Sequence, residues 1–301
     1  MYSERFWMKN WDEDMKDLDP KNWEKTFVEA IAPSFEDFPE KIALTYLGVE
    51  ITFGELDDYS NQFANMLIEH GFKKGDIIGI NLPNIPECVI AYIGTFRAGC
   101  VASGISPLLS DVQMEYQLRN LGEGGKKVGL VTLDVIYQAR VIKIAQNLAQ
   151  LELIITTNIG QFLPRIKRFL GKLLKKIPSA KVEPLSYVKT INFIDAIENQ
   201  STIRPEVDLS PEDIALILFT GGTTGEPKGV VLTHRNVVCD VIIVSTWLGW
   251  ERGKGSAVSG FPFFHMGGLY FLEHCLFLAW GQSLIPNPRD IDYIVKQIKK
   301  Y

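Results

Sequence analysis

The chain has no excess of basic residues: 31 Lys and Arg stand against 36 Asp and Glu in 301 residues, a formal net charge of −5. That balance does not suit a general nucleic-acid binder, which draws phosphates to a basic surface. Cysteine is scarce. Cys88, Cys100, Cys239 and Cys275 sit in apolar contexts without paired short spacing, so they read as buried thiols of a reducing compartment, not disulfides or zinc ligands. The opening MYSERFWMKNWDEDMKD is acidic and lacks the basic flank and apolar core of a secretory signal. Long apolar runs are missing too. The most apolar late stretch, GGLYFLEHCLFLAW, is broken by Glu273 and His274 and is short for a membrane span. No tandem repeat recurs at a fixed period. The expectation is a cytoplasmic globular protein whose 46% hydrophobic content suffices for a substantial core.

Charge is unevenly spread. Residues 1–60 hold fifteen acidic and six basic side chains, whereas residues 161–181 hold seven basic ones and no acid. KIALTYLGVEITF (41–53) alternates around Gly48 and predicts a hairpin. Thr52 and Glu55 then form a capping box that opens a helix through Leu56, Tyr59, Phe63 and Leu67, with Gly71 as its C-terminal cap. IIGINLPN reads as a buried strand ending in a Pro-Asn turn. A helix from Pro86 to Ala98, a strand at Cys100–Ile105, a helix from about Val112 and the strand VGLVTLD follow. Strand and helix alternate with short connections, which predicts an α/β fold of mostly parallel sheets flanked by helices. The pattern returns after residue 210 with DIALILFT and a helix near Arg235. The expected organisation is a first α/β subdomain over about 40–200, carrying a basic insertion at 158–185, and the start of a second over about 205–301.

One stretch carries chemistry. TGGTTGEPKG (220–229) follows an apolar strand, and its glycines and Pro227 forbid a regular helix. Glycines let backbone N–H groups turn toward a ligand, Thr220, Thr223 and Thr224 add hydroxyls, and Lys228 adds a mobile positive charge. Together they suit a polyphosphate. A Walker-type loop needs Gly-Lys-Ser/Thr running straight into a helix. Here Pro227 separates Gly225 from Lys228, and GVVLTH continues as a strand. The bland alternative is a flexible glycine-rich surface turn. Among the four histidines, His70 reads as a solvated helix end, His234 as a cap of the next helix and His274 as a structural residue. His265, in PFFHMGGL, reads as a site residue because Gly267 and Gly268 permit close approach.

FTGGTTGEPKGVVLTHRNV resembles the phosphate-binding signature of the adenylate-forming superfamily of acyl-CoA synthetases, luciferases and nonribosomal adenylation domains. ALTYLGVEITFGEL, FKKGDIIGINLPNIPECVIAYIGTFRAG and PFFHMGGL resemble further blocks in order, so the likeness runs from about residue 20 to the end. The resemblance implies the N-terminal large domain of that fold. It also implies a two-step reaction, in which a carboxylate attacks the α-phosphate of ATP and a thiol then takes the acyl group. By resemblance, Thr220 stands near Mg²⁺, Gly221, Gly222, Thr223, Thr224 and Gly225 wrap the phosphates, and Lys228 closes over them. His265, Gly267, Gly268 and Leu269 lie beside the acyl group. ATP, Mg²⁺ and CoA are the implied cofactors and co-substrate, and Thr220, Lys228 and His265 the catalytic set.

Family enzymes continue beyond IDYIVKQIKKY, so the fold is expected to be incomplete at its C-terminal end, without the catalytic-lysine domain and inactive by itself. A homodimer or a second polypeptide supplying that part are the implied protein partners. QFLPRIKRFLGKLLKKIPSAK (161–181) narrows the substrate. Phe162, Leu163, Ile166, Phe169, Leu170, Leu173, Leu174 and Ile177 fall on one helical face, with Arg165, Arg168, Lys172, Lys175 and Lys176 on the other. Such a helix suits an anionic membrane surface, or else packs on the domain. Long-chain fatty acid–CoA ligases resemble the chain here, which makes a fatty acid the expected substrate and the membrane periphery an expected location. A medium-chain or aryl acid ligase, or a non-catalytic nucleotide- or acyl-binding protein, remains the alternative.

Overall fold

The computed structural model describes residues 6–11, 17–174, 177–221 and 226–300. Its strands, in chain order, are β1 Ile42–Tyr46, β2 Val49–Thr52, β3 Ile77–Asn81, β4 Val101–Gly104, β5 Val128–Leu133 and β6 Leu151–Thr157. They continue as β7 Lys189–Asn192, β8 Ile214–Phe219, β9 Gly229–Thr233, β10 Ser256–Ser259 and β11 Gly281–Leu284. They form a seven-stranded sheet in the order β7-β6-β5-β3-β4-β8-β9 and a four-stranded sheet in the order β10-β11-β1-β2. In the large sheet only β9, which pairs with β8, is antiparallel. Buried on both faces, its central strands are the continuous apolar runs that parallel sheets require.

Local chemistry sets the element ends. The β1–β2 hairpin turns through Leu47 (φ 49°) and Gly48 (φ 81°), the pair of positive φ values that a two-residue turn needs. In helix Phe53–Glu69, Thr52 Oγ1 accepts from Glu55 N at 3.1 Å and Glu55 Oε2 accepts from Thr52 N at 2.8 Å. The same helix ends in a Schellman motif, with Phe72 N donating to Leu67 O and Gly71 N to Ile68 O at φ 77°. Thr233, and not His234, caps helix His234–Trp247, because its hydroxyl accepts from Asn236 N at 3.3 Å. His234 is buried instead, accepting from Phe27 N at 3.3 Å. His70 is likewise half-buried, with Nδ1 3.0 Å from Met66 O. His274 lies in the core.

Helix Pro86–Arg97 is buried along its whole length, packed against helices Phe53–Glu69 and Phe27–Asp37 and against β3 and β4. A helix whose middle is apolar all round, with Glu87 and Arg97 at its ends, belongs in such a place. Strand pairing crosses the expected boundary near residue 205: β8 and β9 extend the large sheet beside β4, while β11 pairs with β1 and carries β10 on its other side. The stretch 158–205 is more than a connector. It supplies edge strand β7 and helix Phe193–Ile197, whose Phe193 stacks on Phe63 at 5.2 Å. Short and half-polar, KTIN carries too little pattern to be read as a strand alone.

The basic segment forms helix Arg165–Leu173. Its expected apolar face divides. Leu163 and Ile177 are buried and Phe162 packs edge-on against Tyr59, but Ile166, Phe169, Leu170, Leu173 and Leu174 are 47–75% exposed. The face of the helix proper is therefore not packed on the domain. Lys175 and Lys176 lie outside the described residues.

Candidate functional site

Parallel strands present their carboxyl ends together, and loops leaving those ends are where α/β sheets bind ligands. Thr220 follows directly on β8. Its N–H donates to Lys228 O at 3.0 Å and its hydroxyl to the same oxygen at 3.4 Å, just beyond the Phe219–Gly229 pair that ends the β8–β9 ladder. The glycine-rich loop is thus closed at its neck. Tyr116 braces it from helix Asp111–Leu121, its hydroxyl donating to Pro227 O at 3.2 Å. Thr220, Gly221 and Lys228 are exposed, and a side chain added at Gly221 would meet nothing within 4 Å. Gly222, Thr223, Thr224 and Gly225 lie outside the described residues. The chain leaves the loop as antiparallel strand β9, not as a helix, which excludes the Walker arrangement.

The PFFHMGGL block reaches the same sheet edge. Gly104 ends β4, the neighbour of β8, and a Cβ there would stand 2.8 Å from Phe264 Cα. His265 caps helix Met266–Leu278, its exposed ring accepting from Gly267 N at 3.2 Å through Nδ1. Gly267 is open, but the space beside Gly268 is filled by the chain itself: a Cβ there would fall on the Pro262 carbonyl, well inside van der Waals contact. Leu269 is buried in the core. The structure therefore brings Thr220, Gly221, Lys228, His265 and Gly267 to the surface at the carboxyl edge, with Gly268 and Leu269 beneath. Gly268→Ala is expected to destabilise the protein by about 1–3 kcal/mol, because backbone must move. Gly267→Ala should be nearly neutral, and urea unfolding midpoints distinguish the two.

Sequence reasoning missed what holds this loop. Asn84, buried in the Pro-Asn turn after β3, donates to Ser259 O at 2.9 Å and Phe261 O at 2.8 Å, and accepts from Phe263 N at 2.9 Å. Tyr92 adds a hydroxyl bond to Phe263 O at 3.1 Å. One amide side chain so ties the two sheets at their carboxyl ends. The signal was the turn itself, visible as LPN, but its partners lie about 175 residues away. Between these loops opens a mostly apolar cavity of about 360 Å³, lined by Pro83, Asn84, Pro107, Leu108, Pro262 and Phe264 among others. A larger open groove of about 750 Å³, beside Arg97 and Val207, lies toward the amino ends of β4 and β8 and holds none of the predicted site residues.

A second buried polar group stands at the carboxyl end of β6. Glu87, in the first turn of helix Pro86–Arg97, accepts from the Thr157 hydroxyl at 2.8 Å, and burial pushes its carboxyl up to about 7. Nearby, Asn158 Nδ2 donates to Asp134 Oδ2 at 2.9 Å. Among the described residues no three His, Cys, Asp or Glu side chains gather as a metal site. No described helix is long and apolar enough to cross a membrane.

Comparison with known proteins agrees with this geometry. The family model described as AMP-binding enzyme matches residues 31–301. The long-chain-fatty-acid–CoA ligase of Bacillus subtilis is 31% identical over 297 residues, covering 95% of this chain and 50% of that protein. The crystal structure of a long-chain-fatty-acid-CoA ligase from Archaeoglobus fulgidus superposes with a TM-score of 0.76 at 19% identity, over 97% of this chain and 52% of that one. ATP-bound MatB from Rhodopseudomonas palustris gives 0.70 at 20% identity, over 91% and 48%. The chain thus spans about half the length of the relatives it matches. A signature loop closed at its neck, parallel sheets presenting it at their carboxyl edge and a match over residues 31–301 lead to one conclusion: the chain belongs to the AMP-binding enzyme family.

Proposed function

We propose that these residues form the N-terminal part of a long-chain fatty acid–CoA ligase. In that reaction a fatty-acid carboxylate oxygen attacks the α-phosphorus of ATP, the bond to the β-phosphate breaks and pyrophosphate leaves. CoA thiol then displaces AMP from the acyl-adenylate. The observation that carries the reading is the closed neck between Thr220 and Lys228, with the exposed Lys228 side chain at its mouth. Negative charge grows on the departing pyrophosphate, and donors already fixed in place stabilise it without reorganising. Lys228 would bond the phosphates and the backbone from Gly221 to Gly225 would wrap them. The exposed Thr220 hydroxyl, whose oxygen can still accept, suits a ligand position for Mg²⁺, which would neutralise further phosphate charge. His265 and Gly267 face the acyl-adenylate in this reading, while Gly268 and Leu269 support them from below.

A fatty acid as substrate rests on the names of the relatives and on helix Arg165–Leu173. Its uncovered apolar residues and basic flank suit a peripheral seat on an anionic membrane, where a long-chain acid partitions. ATP–pyrophosphate exchange, with and without palmitate and Mg²⁺, tests the proposal. The 301-residue polypeptide by itself is expected to show no palmitate-dependent exchange, while ATP shields Lys228 from an amine-modifying reagent. Exchange that depends on palmitate would show that these residues suffice for adenylation. Modification of Lys228 at the same rate with and without ATP would sink the phosphate-cradle reading.

A further inference from the structure

Both peptide groups that flank Lys228 are held. The one on its carboxyl side is held by Thr220, whose N–H donates to Lys228 O at 3.0 Å. The one on its amino side is held by Tyr116, whose hydroxyl donates to Pro227 O at 3.2 Å. Each peptide group is planar, so restraining the two planes restrains both rotations about the Lys228 Cα and hence the direction of its Cα–Cβ bond. Pro227 has no N–H, which leaves its carbonyl as the backbone group that can be held there. The support comes from a firm post. Helix Asp111–Leu121 opens on a capping box, in which Ser110 Oγ accepts from Gln113 N at 3.3 Å, and it buries Met114, Gln117, Leu118 and Leu121. Tyr116 stands half-buried on its other side. Loss of solvent and the neighbouring Glu226 carboxylate raise the Tyr116 hydroxyl above the ordinary phenol range, so it keeps the proton it donates.

We propose that Tyr116 is a positioning residue for Lys228: through the Pro227 carbonyl it sets the direction in which the lysine leaves the chain toward a phosphate. The proposal rests on the phosphate reading above and adds a residue from outside the loop. Its physical basis is entropy. A lysine whose backbone must also be ordered on binding loses part of its bond's free energy to that ordering. One whose flanking peptides are already held has only its side chain left to fix. The need for a second support follows from the sheet. Lys228 leads into β9, the edge strand, which is paired on one side alone. Thr220 and β8 hold the segment from that side, and Tyr116 holds it from helix Asp111–Leu121.

A double-mutant cycle tests it, with ATP affinity measured by equilibrium dialysis for the parent, Y116F, K228A and Y116F/K228A. Y116F keeps the ring and removes one hydrogen bond, so ATP is expected to bind about threefold to tenfold more weakly. The urea midpoint should stay at the parent's value, because the freed Pro227 carbonyl is only half-buried and can turn to water. In the K228A background the same change should cost no further affinity, since the group that Tyr116 positions is gone. A residue that merely supported the loop would cost the same affinity in both backgrounds, and that result overturns the proposal. If K228A binds ATP weakly and Y116F binds it like the parent, Tyr116 positions nothing, although the phosphate reading stands. If K228A binds ATP like the parent, the phosphate reading fails and this one fails with it.

Discussion

Lys228→Ala is expected to weaken ATP binding about tenfold to a hundredfold, the equivalent of one charge-assisted hydrogen bond of about 1.5–3 kcal/mol. The backbone of Lys228 is fixed through its carbonyl to Thr220, so the side chain starts from a defined point at the loop mouth. Being exposed, it adds little to folding, and the variant should unfold at the parent's urea midpoint. Lys228→Arg keeps the charge and should recover part of the affinity. Equilibrium dialysis with ATP decides the matter. An unchanged dissociation constant for Lys228→Ala would mean that the loop holds no phosphate.

The second large effect concerns stability. Burial raises the Glu87 carboxyl from its ordinary 4.5 to about 7, so the folded state holds this proton more tightly than the unfolded chain does. Its contribution is full below pH 4.5 and is lost as pH rises through 7, a change of about 3 kcal/mol for a group with no exposure to screen it. Glu273, buried with Oε1 unpartnered and also pushed up by burial, acts in the same direction. His234 acts oppositely. Burial lowers it from 6.5 to about 4, so its contribution is present above pH 6.5 and lost as pH falls toward 4. The two slopes partly mask one another in the native protein. Glu87→Gln keeps an oxygen to accept from Thr157, and the remaining groups cancel in the difference from the parent. The variant is therefore expected to gain about 3 kcal/mol relative to the parent between pH 4.5 and pH 8. Urea titrations across that range measure it, and a difference independent of pH would show that the Glu87 carboxyl titrates alike in the folded and unfolded protein.

The hairpin at Gly48, the capping box at Thr52, the Gly71 helix end and the β8–loop–β9 passage are all legible from neighbouring residues. Each rests on hydrogen bonds or φ values within a few positions, where residue type acts directly. Thr220, Gly221 and Lys228 could be placed for the same reason. Gly268 and Leu269 were read as a ligand's neighbours, because a glycine pair beside a histidine does not say what makes the close approach. Here the Pro262 carbonyl makes it. The β7 strand was missed because KTIN becomes a strand only when β6 lies beside it.

By itself, then, the sequence determined many of the elements, the parallel α/β class and the glycine-rich loop after β8, since periodicity, caps and glycine spacing act over one or two turns of chain. Tertiary structure alone decided the rest. It set β8 beside β4, bringing the glycine-rich loop and the His265 loop to one edge, and it made Asn84 the clasp between two sheets. It buried Glu87 and Glu273, and it turned the apolar residues of helix Arg165–Leu173 outward. Burial and pairing depend on which distant surfaces meet, and the apolar and polar groups that meet there are far apart in the chain.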